Sequence, residues 1–289
     1  MRVVVLMGGR SAEREISLKS GQAVLRALQE LGHEAIALDL TEDLCERLRE
    51  IKPDKVFIAL HGPYGEDGRV QGLLDILGIP YVGSGVLGSS IAMDKDITKK
   101  LLSFHGIKVP KWICVREKGE ELNWDIYPAV VKPADQGSSV GLFVVNGREE
   151  AKEAIEKCLE ISKKVMVEEY IEGRDITVGI LKGKPLPPIE IKPKKGIYDY
   201  ESKYTKGMTE YTFLEEEEFV EKLQEIALLA YKVLELKDLS RVDFRVNREG
   251  TPYLLEVNTI PGLTELSLFP MACKRVGIDF KELISMLLF

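Results

Sequence analysis

The segment Tyr253-Leu-Leu-Glu-Val-Asn-Thr-Ile-Pro-Gly262 alternates apolar residues with acidic and amide side chains and then ends in a Pro-Gly pair. Such a run, rich in β-forming residues and bounded by turn residues, is typical of a strand. Because successive side chains of a strand point to opposite faces, Glu256 and Asn258 are expected on one face. Upstream, Arg241-Val-Asp-Phe-Arg-Val246 predicts a second strand, with Arg241 and Asp243 on one face by the same rule.

The turn residues Asn247-Arg-Glu-Gly250 lie between these strands and predict a hairpin. In that hairpin the oxygens of Asp243, Glu256 and Asn258 would converge beside Arg241. Hard oxygen ligands suit Mg²⁺, which keeps several waters and binds through a few carboxylates plus substrate phosphates. The alternative is a solvated hairpin with scattered charges, which explains less well why these polar residues alternate with Leu, Val and Phe. We therefore interpret the hairpin as one wall of a metal site.

The first part of the chain alternates short apolar runs with amphipathic stretches. Strands are predicted over 2–7, 34–38, 55–60 and 80–82, and helices over 13–31, 42–51 and 69–77. This alternation predicts an α/β domain with a doubly wound parallel sheet, which binds ligands at the carboxyl ends of its strands. Polar clusters follow these strands at 8–13, 61–68 and 83–85, so His61 lies where a ligand of the sheet is expected.

The rest of the chain predicts two smaller α+β units. One has helices over 90–104 and 149–160 and strands over 109–115, 129–132, 140–145 and 165–171. The other has strands over 176–181 and 187–191, a helix over 217–236, the hairpin and two C-terminal helices. Within this second unit, a polar stretch with several tyrosines lies between the strand 187–191 and the helix 217–236, at 194–212. A loop of that length is usually functional or disordered, and aromatic residues favour function.

A second motif with chemical meaning is Val130-Val-Lys-Pro-Ala-Asp-Gln-Gly-Ser-Ser-Val-Gly141. A lysine ends a buried strand, and the Gly- and Ser-rich turn after it can bind phosphates through N–H and hydroxyl donors. It does not match the P-loop. The alternatives are a plain hairpin loop with an exposed Lys132, and an ordinary surface position for Lys95. Together with the hairpin, these lysines indicate phosphoryl transfer assisted by Mg²⁺.

Composition excludes several classes of protein. The chain has 289 residues, 45% hydrophobic and 30% charged, with a net charge of −7. That charge argues against a general nucleic-acid binder. No apolar run approaches the length of a membrane span. The four cysteines are widely separated and show no metal-binding spacing, as expected for free thiols in a reducing compartment. The sequence therefore predicts a cytoplasmic protein with no membrane or nucleic-acid partner.

Motifs from the first strand to the last helix closely resemble those of the D-alanine–D-alanine ligases of the ATP-grasp superfamily. They are Gly8-Gly-Arg-Ser-Ala-Glu-Arg-Glu-Ile-Ser17, His61-Gly-Pro-Tyr-Gly-Glu-Asp-Gly68 with Gln71-Gly72, Lys132 to Gly141, Tyr198-Asp-Tyr-Glu-Ser-Lys-Tyr204, and Leu254 to Gly262. The resemblance implies an N-terminal doubly wound parallel-sheet domain at 1–88. The two α+β domains of an ATP-grasp fold would follow, the central one at 89–173 and the C-terminal one, with the metal site and a closing loop, at 174–289.

The implied reaction is the ATP-dependent ligation of two D-alanines to D-alanyl-D-alanine through an acyl phosphate, for peptidoglycan synthesis. The resemblance further implies ATP between the second and third domains, two Mg²⁺ ions per site with Mn²⁺ as a substitute, and a homodimer. Residues implied to act on the substrates or to close the site are Glu13, His61, Ser138, Lys203, Tyr204, Arg241, Gly262 and Ser267. Residues implied to bind ATP are Lys95, Lys132, Ser139, Glu168, Glu169, Tyr170, Ile171 and Asp175. The implied metal ligands are Asp243, Glu256 and Asn258.

Individual roles follow from the motif matches. Lys95 and Lys132 would contact the phosphates of ATP. The segment 168–171 would contact the adenine, and Asp175 would contact the ribose. Glu13 would receive the ammonium of the first D-alanine in a set with Ser138 and Tyr204, and His61 would lie near its carboxylate. Arg241 and the Gly262 N–H would stabilise an oxyanion. Ser267 and the Leu268 N–H would bind the carboxylate of the second D-alanine, and Lys203 would arrive on the closing loop.

Two segments depart from the family pattern. The phosphate loop contains Ala-Asp135-Gln136-Gly, and the stretch after Gly262 reads Leu-Thr-Glu265-Leu266-Ser267 where some members have Ser-His before the serine. Three alternatives stay open. A depsipeptide ligase that takes D-lactate second commonly has phenylalanine in place of Tyr204. Another ATP-grasp carboxylate–amine ligase would lack the substrate-region motifs, and a silent nucleotide sensor would lack the full set of ligands.

Overall fold

The computed structural model describes residues 1–193, 209–264 and 267–289, and it begins with a four-stranded parallel sheet. Its strands run in the order β2-β1-β3-β4, where β1 is Arg2–Met7, β2 Glu34–Asp39, β3 Lys55–Ile58 and β4 Tyr81–Val82. The central strand pairs Val5 with Ala37 on one side and with Phe57 on the other. The predicted parallel sheet is therefore confirmed.

Helices cover both faces of this sheet: α1 (Arg14–Glu30), α2 (Leu44–Ile51) and α3 (Arg69–Leu77). Alternate residues of β1 face opposite ways, so Val5 packs in one core with Leu28 of α1, and Leu6 in another with Leu48 of α2 and Leu74 of α3. Each of these leucines is fully buried. Burial of one such side chain contributes about 1.5–3 kcal/mol. The sheet is doubly wound, as predicted.

The prediction of a single helix over 90–104 is wrong. Two helices, α4 (Val86–Met93) and α5 (Lys95–Phe104), meet at Asp94, which has an extended backbone. The Asp94 side chain accepts hydrogen bonds from the N–H groups of Asp96 and Ile97, both at 3.1 Å. An aspartate that caps the second helix thus ends the first. This break sets the orientation of Lys95 at the start of α5.

The central sheet is antiparallel. Its strands run in the order β5-β8-β6-β7, with β5 at Trp112–Val115, β6 at Ala129–Pro133, β7 at Phe143–Val145 and β8 at Val165–Glu169, and α6 (Arg148–Leu159) packs on it. The strands β5 and β7 begin later than predicted. Residues 137–142 instead form consecutive turns, in which the Val140 N–H donates to the Gly137 carbonyl at 3.0 Å and the Leu142 N–H to the Ser139 carbonyl at 3.3 Å.

The C-terminal sheet is also antiparallel, in the order β12-β11-β9-β13-β14 with β10 beside β9. Its strands are β9 (Gly173–Leu181), β10 (Lys184–Pro185), β11 (Ile189–Pro193), β12 (Thr209–Phe213), β13 (Leu239–Asn247) and β14 (Pro252–Asn258). The prediction of one polar loop over 194–212 is wrong at its end, because Thr209–Phe213 pairs with Ile189–Pro193. Thr212 and Tyr211 are β-forming residues, and the pairing with β11 outweighs their polar surroundings.

Three further helices complete the described chain: α7 (Glu217–Val233), α8 (Leu268–Arg275) and α9 (Phe280–Leu288). One apolar core joins the first sheet to the last, since Val5 and Leu28 share it with Ile189, Phe269 and Leu287. Within the described residues, no helix has both the length and the apolar character needed to cross a membrane.

Candidate active site

The hairpin predicted from the sequence is present and brings the proposed ligands together. Strand β13 pairs with β14 so that Asp243 faces Glu256 and Arg241 faces Asn258, and a register shift follows Asp243. The four side chains lie partly exposed at one end of the sheet. A β-bulge re-aims nearby side chains and is common beside active sites.

Asp243 is the centre of this cluster. Arg241 donates to it twice, from Nε to Oδ1 at 2.9 Å and from Nη2 to Oδ2 at 2.8 Å. The Thr177 hydroxyl donates to Oδ1 at 2.6 Å, and Asn258 Nδ2 donates to Oδ2 at 3.2 Å. A bidentate arginine fixes both the charge and the plane of the carboxylate. The aspartate is therefore held rigidly at the edge of the site.

The chemistry of the donors fits a hard cation. Glu256 adds a second carboxylate next to Asp243, and its Oε2 lies 3.4 Å from Lys95 Nζ. Across the part of the chain that the structure describes, no three His, Cys, Asp or Glu side chains gather as a metal cluster. A cation here would therefore combine the oxygens of Asp243, Glu256 and Asn258 with ligand oxygens, which is how Mg²⁺ is usually held beside phosphates.

A cleft between the central and C-terminal sheets contains every residue that the sequence assigned to nucleotide binding. Asp243, Glu256 and Lys95 line it together. The residues of the nucleotide set that line it are Lys95, Lys132, Ser139, Glu168, Glu169, Tyr170, Ile171 and Asp175. Two lysines, a strand edge and the carboxylate pair thus share one space.

The lysines of this cleft are buried, so the alternative of surface lysines is wrong. Lys95 is 6% exposed and donates to the Gln136 carbonyl at 2.7 Å, which ties α5 to the phosphate loop. Lys132 is 8% exposed and donates to Glu168 at 2.6 Å. The buried carboxylate of Glu168 also pairs with Lys99, a residue that sequence reasoning missed.

Burial alone would raise the pKa of Glu168, but Lys132 and Lys99 outweigh that effect and hold the pKa below its ordinary value. Burial lowers the pKa of Lys99 to about 8, which Glu168 partly offsets while Lys132 and Lys95 reinforce it. The three groups thus form one charged unit behind and beside the cleft.

Arg245 organises the opposite end of the cleft and was not singled out from the sequence. Its Nη1 lies 2.6 Å from Asp175 Oδ2, and its Nε donates to the Ile171 carbonyl at 2.8 Å. Its Nη2 donates to the Tyr170 hydroxyl at 2.9 Å, and the guanidinium lies 5.4 Å from the centre of that ring. One side chain therefore holds the strand edge and Asp175 in register. The sequence feature that could have identified Arg245 is its position two residues after Asp243.

Glu13 lies in a narrow space between the first sheet and the phosphate loop. It is 8% exposed, and its Oε1 accepts a hydrogen bond from the Ser138 hydroxyl. A Cβ at Gly137 would approach its Oε2 to 2.6 Å, and one at Gly62 would approach it to 2.8 Å. A side chain at either position would therefore crowd the carboxylate in its present place.

The loop that meets Glu13 has an unusual backbone. Ser138 and Ser139 have positive φ angles of 49° and 59°, in the left-handed region that non-glycine residues rarely adopt. Strain of this kind costs of order 1–3 kcal/mol and often marks ligand-binding segments. It aims the Ser138 hydroxyl at Glu13.

Residues from α1 and from the segment after β3 hold the Pro261-Gly262 segment on both sides. His61 Nδ1 lies 3.1 Å from the Ile260 carbonyl, and its Nε2 lies 3.1 Å from the Ser20 hydroxyl oxygen. That oxygen accepts from the Leu263 N–H at 3.2 Å. Since a carbonyl only accepts, Nδ1 carries the hydrogen and Nε2 accepts from Ser20. Burial lowers the pKa of His61, which favours this neutral form.

Glu66 completes this clamp, which we define as Ser20, His61 and Glu66. Its Oε2 accepts from the Gly62 N–H at 2.7 Å and its Oε1 from the Ile260 N–H at 3.3 Å. Burial, followed by the nearby charge of Glu13, raises the pKa of Glu66 to about 8. Sequence reasoning missed both residues, although Glu66 lies inside a quoted motif and Ser20 lies three residues after another, because their partners Ile260 and Leu263 are far away along the chain.

Replacing Glu66 by Gln is expected to change how stability depends on pH. A carboxyl with a pKa raised from 4.5 to about 8 stabilises the fold fully at low pH and loses that contribution as pH rises through 8. The free energy of unfolding of the native chain should therefore fall relative to E66Q between pH 5 and 8. The steepest slope would approach about 1.4 kcal/mol per pH unit. Urea unfolding across this range measures it.

The exposed Glu121 provides the matched control, since E121Q should run parallel to the native chain at every pH. A constant difference between E66Q and the native chain from pH 5 to 8 would contradict the prediction.

Ser267 stands at the N-terminus of α8, where backbone N–H groups favour an anion. Its hydroxyl oxygen accepts from the Thr264 N–H at 3.0 Å and lies 2.8 Å from the Thr264 hydroxyl. A Cβ at Gly262 would approach this hydroxyl to 2.8 Å. Gly262 and Ser267, to which the family resemblance gives roles at the substrates, are therefore adjacent. Lys203, Tyr204, Glu265 and Leu266 lie outside the described residues.

Two family models match the chain. The model described as D-ala D-ala ligase N-terminus matches residues 2–48 and 43–84, and the model described as D-ala D-ala ligase C-terminus matches residues 101–289. The D-alanine–D-alanine ligase of Aquifex aeolicus (strain VF5) is 60% identical over 290 aligned positions, which cover 100% of both sequences. Similarity therefore extends from the first strand to the last helix.

Solved structures agree with this similarity. The D-alanine–D-alanine ligase from Bacillus anthracis complexed with ATP is 38% identical, with a TM-score of 0.88 over 100% of this chain and 96% of that one. The VanG D-Ala:D-Ser ligase from Enterococcus faecalis is 30% identical, with a TM-score of 0.85 over 100% and 98%. The predicted ATP-grasp fold is confirmed by this likeness. On sequence and on structure alike, the chain belongs to the D-alanine–D-alanine ligase family.

Proposed function

We propose that this chain joins two D-alanines to D-alanyl-D-alanine with the conversion of ATP to ADP and phosphate. The observation that carries the proposal is the single cleft that Lys95, Lys132, Asp243 and Glu256 line. It provides cations for phosphates and a carboxylate pair for Mg²⁺ in one space, beside the Glu13–Ser138 contact. The 60% identical Aquifex aeolicus ligase supports the same activity.

The chemistry requires an activated carboxylate. The carboxylate of the first D-alanine is a poor electrophile, so one of its oxygens attacks the γ-phosphorus of ATP, and ADP leaves. The neutral amine of the second D-alanine then attacks the carbonyl carbon of the acyl phosphate. The tetrahedral intermediate loses inorganic phosphate and its surplus amine proton, and the peptide bond remains. Water must be excluded meanwhile, because it would hydrolyse the acyl phosphate.

The side chains of the site suit these steps. Lys95 and Lys132 bind and orient the phosphates, and Asp175 with the strand edge at Glu168–Ile171 holds the nucleoside. Arg241 and the Gly262 N–H stabilise the negative charge that develops on the carbonyl oxygen, which is an oxyanion-hole function. Glu13 with Ser138 receives the ammonium of the first D-alanine, and the N-terminus of α8 with Ser267 receives the carboxylate of the second.

His61 is proposed to lie near the carboxylate of the first D-alanine. Both of its ring nitrogens already contact the protein, at Ile260 and Ser20. Its contribution therefore includes holding the Pro261-Gly262 segment in place, in addition to any contact that a substrate makes with the ring.

Asp243, Glu256 and Asn258 would hold two Mg²⁺ ions, with Mn²⁺ as a substitute. Bound there, the ions would neutralise charge on the phosphate oxygens and orient them. The donor set supports this assignment, since it consists of two carboxylates and an amide beside buried lysines.

Further parts of the proposal concern organisation. We propose the three-domain division at 1–88, 89–173 and 174–289, which the three separate sheets support. We also propose a homodimer, a cytoplasmic location and a role in peptidoglycan synthesis. Unpaired cysteines throughout the described chain are compatible with a reducing compartment.

Replacing Tyr204 by Phe is expected to raise the use of D-lactate relative to D-alanine as second substrate. The tyrosine hydroxyl is proposed to join Ser138 and Glu13 from the closing loop, and phenylalanine lacks that hydroxyl. The shift should be largest at lower pH. There the amine of D-alanine is protonated and cannot attack, whereas D-lactate has no amine to protonate. The measurement is the ratio of depsipeptide to dipeptide in a competition assay. An unchanged ratio would count against this role.

The function itself is tested with the purified chain, ATP, Mg²⁺ and one second substrate at a time: D-alanine, L-alanine or D-lactate. We expect phosphate release that rises with D-alanine and a product with the mass of the D-Ala dipeptide. Phosphate release that does not respond to D-alanine would overturn the proposal. Substitution of D-serine provides a further arm, because the VanG relative is described as a D-Ala:D-Ser ligase.

A further inference from the structure

Lys99 is a fully buried lysine that lies behind the nucleotide cleft rather than in its lining. Its side chain is 0% exposed, and it comes from the same helix, α5, as Lys95. Buried lysines are rare unless they are paired, because removing an ammonium group from water is costly. Placing this charge here therefore costs considerable desolvation free energy.

The partner of Lys99 is one half of the Glu168 carboxylate. Lys99 Nζ pairs with Oε2, while Lys132 Nζ pairs with Oε1 at 2.6 Å. Lys132 reaches into the cleft, but Lys99 does not. A single carboxylate thus stands between a lysine that a ligand can touch and a lysine that it cannot.

The charged groups around Lys99 determine the net charge of the unit that it forms with Lys132 and Glu168. Glu168 faces it from β8, Lys132 from β6 and Lys95 from its own helix, and the Trp112 ring of β5 lies 5.5 Å from its ammonium. Lys99, Lys132 and Glu168 together carry one net positive charge. Without Lys99 the pair Lys132–Glu168 would be neutral, and a polyphosphate would meet no net attraction from it.

We propose that Lys99 is a positioning residue that sets the charge of the nucleotide site: it neutralises Glu168 from behind, so that Lys132 can bind phosphate with its full charge. The inference rests on the proposed binding of ATP in this cleft. It assigns a role to a residue that touches no substrate and acts through Glu168 and Lys132. Its effect must therefore grow with the number of phosphates on the ligand and be small for a ligand that has none.

The test compares the dissociation constants of adenosine, ADP and ATP, measured by calorimetry on the full chain with Mg²⁺ and again with EDTA. For Lys99→Met, we expect ATP to bind on the order of tenfold more weakly, as the loss of one nearby charge in a partly shielded site implies. Adenosine binding should stay within about twofold. The decisive quantity is the ratio of the adenosine constant to the ATP constant.

The double variant Lys99→Met/Glu168→Gln separates charge from packing. It removes one positive and one negative charge, so Lys132 regains an uncompensated charge and the adenosine-to-ATP ratio should recover towards the native value. A purely structural role for Lys99 would weaken the binding of all three ligands alike, so the ratio would stay native in Lys99→Met and in the double variant. Lys100→Met is the matched control, since Lys100 is the exposed neighbour of Lys99 on α5.

The outcomes are distinct. If Lys99→Met lowers affinity for the three ligands equally, or if the double variant fails to recover the ratio, the inference is wrong. If the native chain itself does not bind ATP in this cleft, the proposed function fails instead. A ratio that falls in Lys99→Met, recovers in the double variant and stays native in Lys100→Met would establish the role.

Discussion

Replacing Glu256 by Gln is expected to abolish turnover while the fold stays intact. The carboxylate faces Asp243 across the paired strands and lies 3.4 Å from Lys95, so it is the second acidic oxygen donor of the proposed Mg²⁺ site. Glutamine has the same shape but lacks the charge. Charge stabilisation by a bound metal is worth several kcal/mol, so we expect the rate to fall by roughly a thousandfold or more.

The measurement is kcat from phosphate release at saturating Mg²⁺, ATP and D-alanine, with urea unfolding to check the fold. Glu249→Gln provides a matched control, because Glu249 is exposed in the turn of the same hairpin and should tolerate the change. A rate for E256Q close to that of the native chain would refute the assignment of this carboxylate to the metal.

Replacing Arg241 by Lys is expected to lower kcat by about a hundredfold to a thousandfold, the usual effect of losing one oxyanion-hole donor. The arginine holds Asp243 with two hydrogen bonds of 2.9 and 2.8 Å, which come from the Nε and Nη2 atoms of its planar fork. Lysine keeps the charge but cannot reproduce this geometry. ATP affinity should change little, because the lysines of the cleft remain.

Steady-state kinetics and ATP binding distinguish a transition-state role from a binding role. Arg248→Lys is the control, since Arg248 is exposed in the hairpin turn and pairs with Glu172 at the surface. If R241K raised KM for D-alanine while kcat stayed native, Arg241 would serve substrate binding and the oxyanion role would be wrong.

Local patterns predicted the parts of the fold that local physics determines. The first sheet follows from apolar runs that alternate with amphipathic helices, and the hairpin follows from period-two alternation on both sides of a turn. The break at Asp94 escaped prediction because helical periodicity continues through it, and only the capping bonds reveal it. The strand Thr209–Phe213 escaped because its partner strand, rather than its own composition, stabilises it.

The candidate site shows the same limit. Asp243, Glu256 and Asn258 could be grouped from strand alternation, since the two strands that carry them are joined by one short turn. The roles of Glu13, Ser138 and Ser267 came from the family resemblance and not from spacing. Lys99, Glu66 and Ser20 depend on partners that only the folded chain brings near, such as Glu168 for Lys99 and Leu263 for Ser20. No local signal marks such pairs, because the desolvation that makes them matter arises on folding.

The apolar core that joins the first sheet to the last has a mechanical consequence. Val5 and Leu28 share that core with Phe269 and Leu287, and the clamp ties Ile260 to the same body, whereas the central sheet packs around a core of its own. The wall that carries Arg241, Gly262 and Ser267 thus shares one apolar core with the N-terminal sheet, and the central sheet lies outside that core. We therefore expect nucleotide exchange to displace the central sheet more than this wall, so that the shape of the proposed amino-acid sites persists from one turnover to the next.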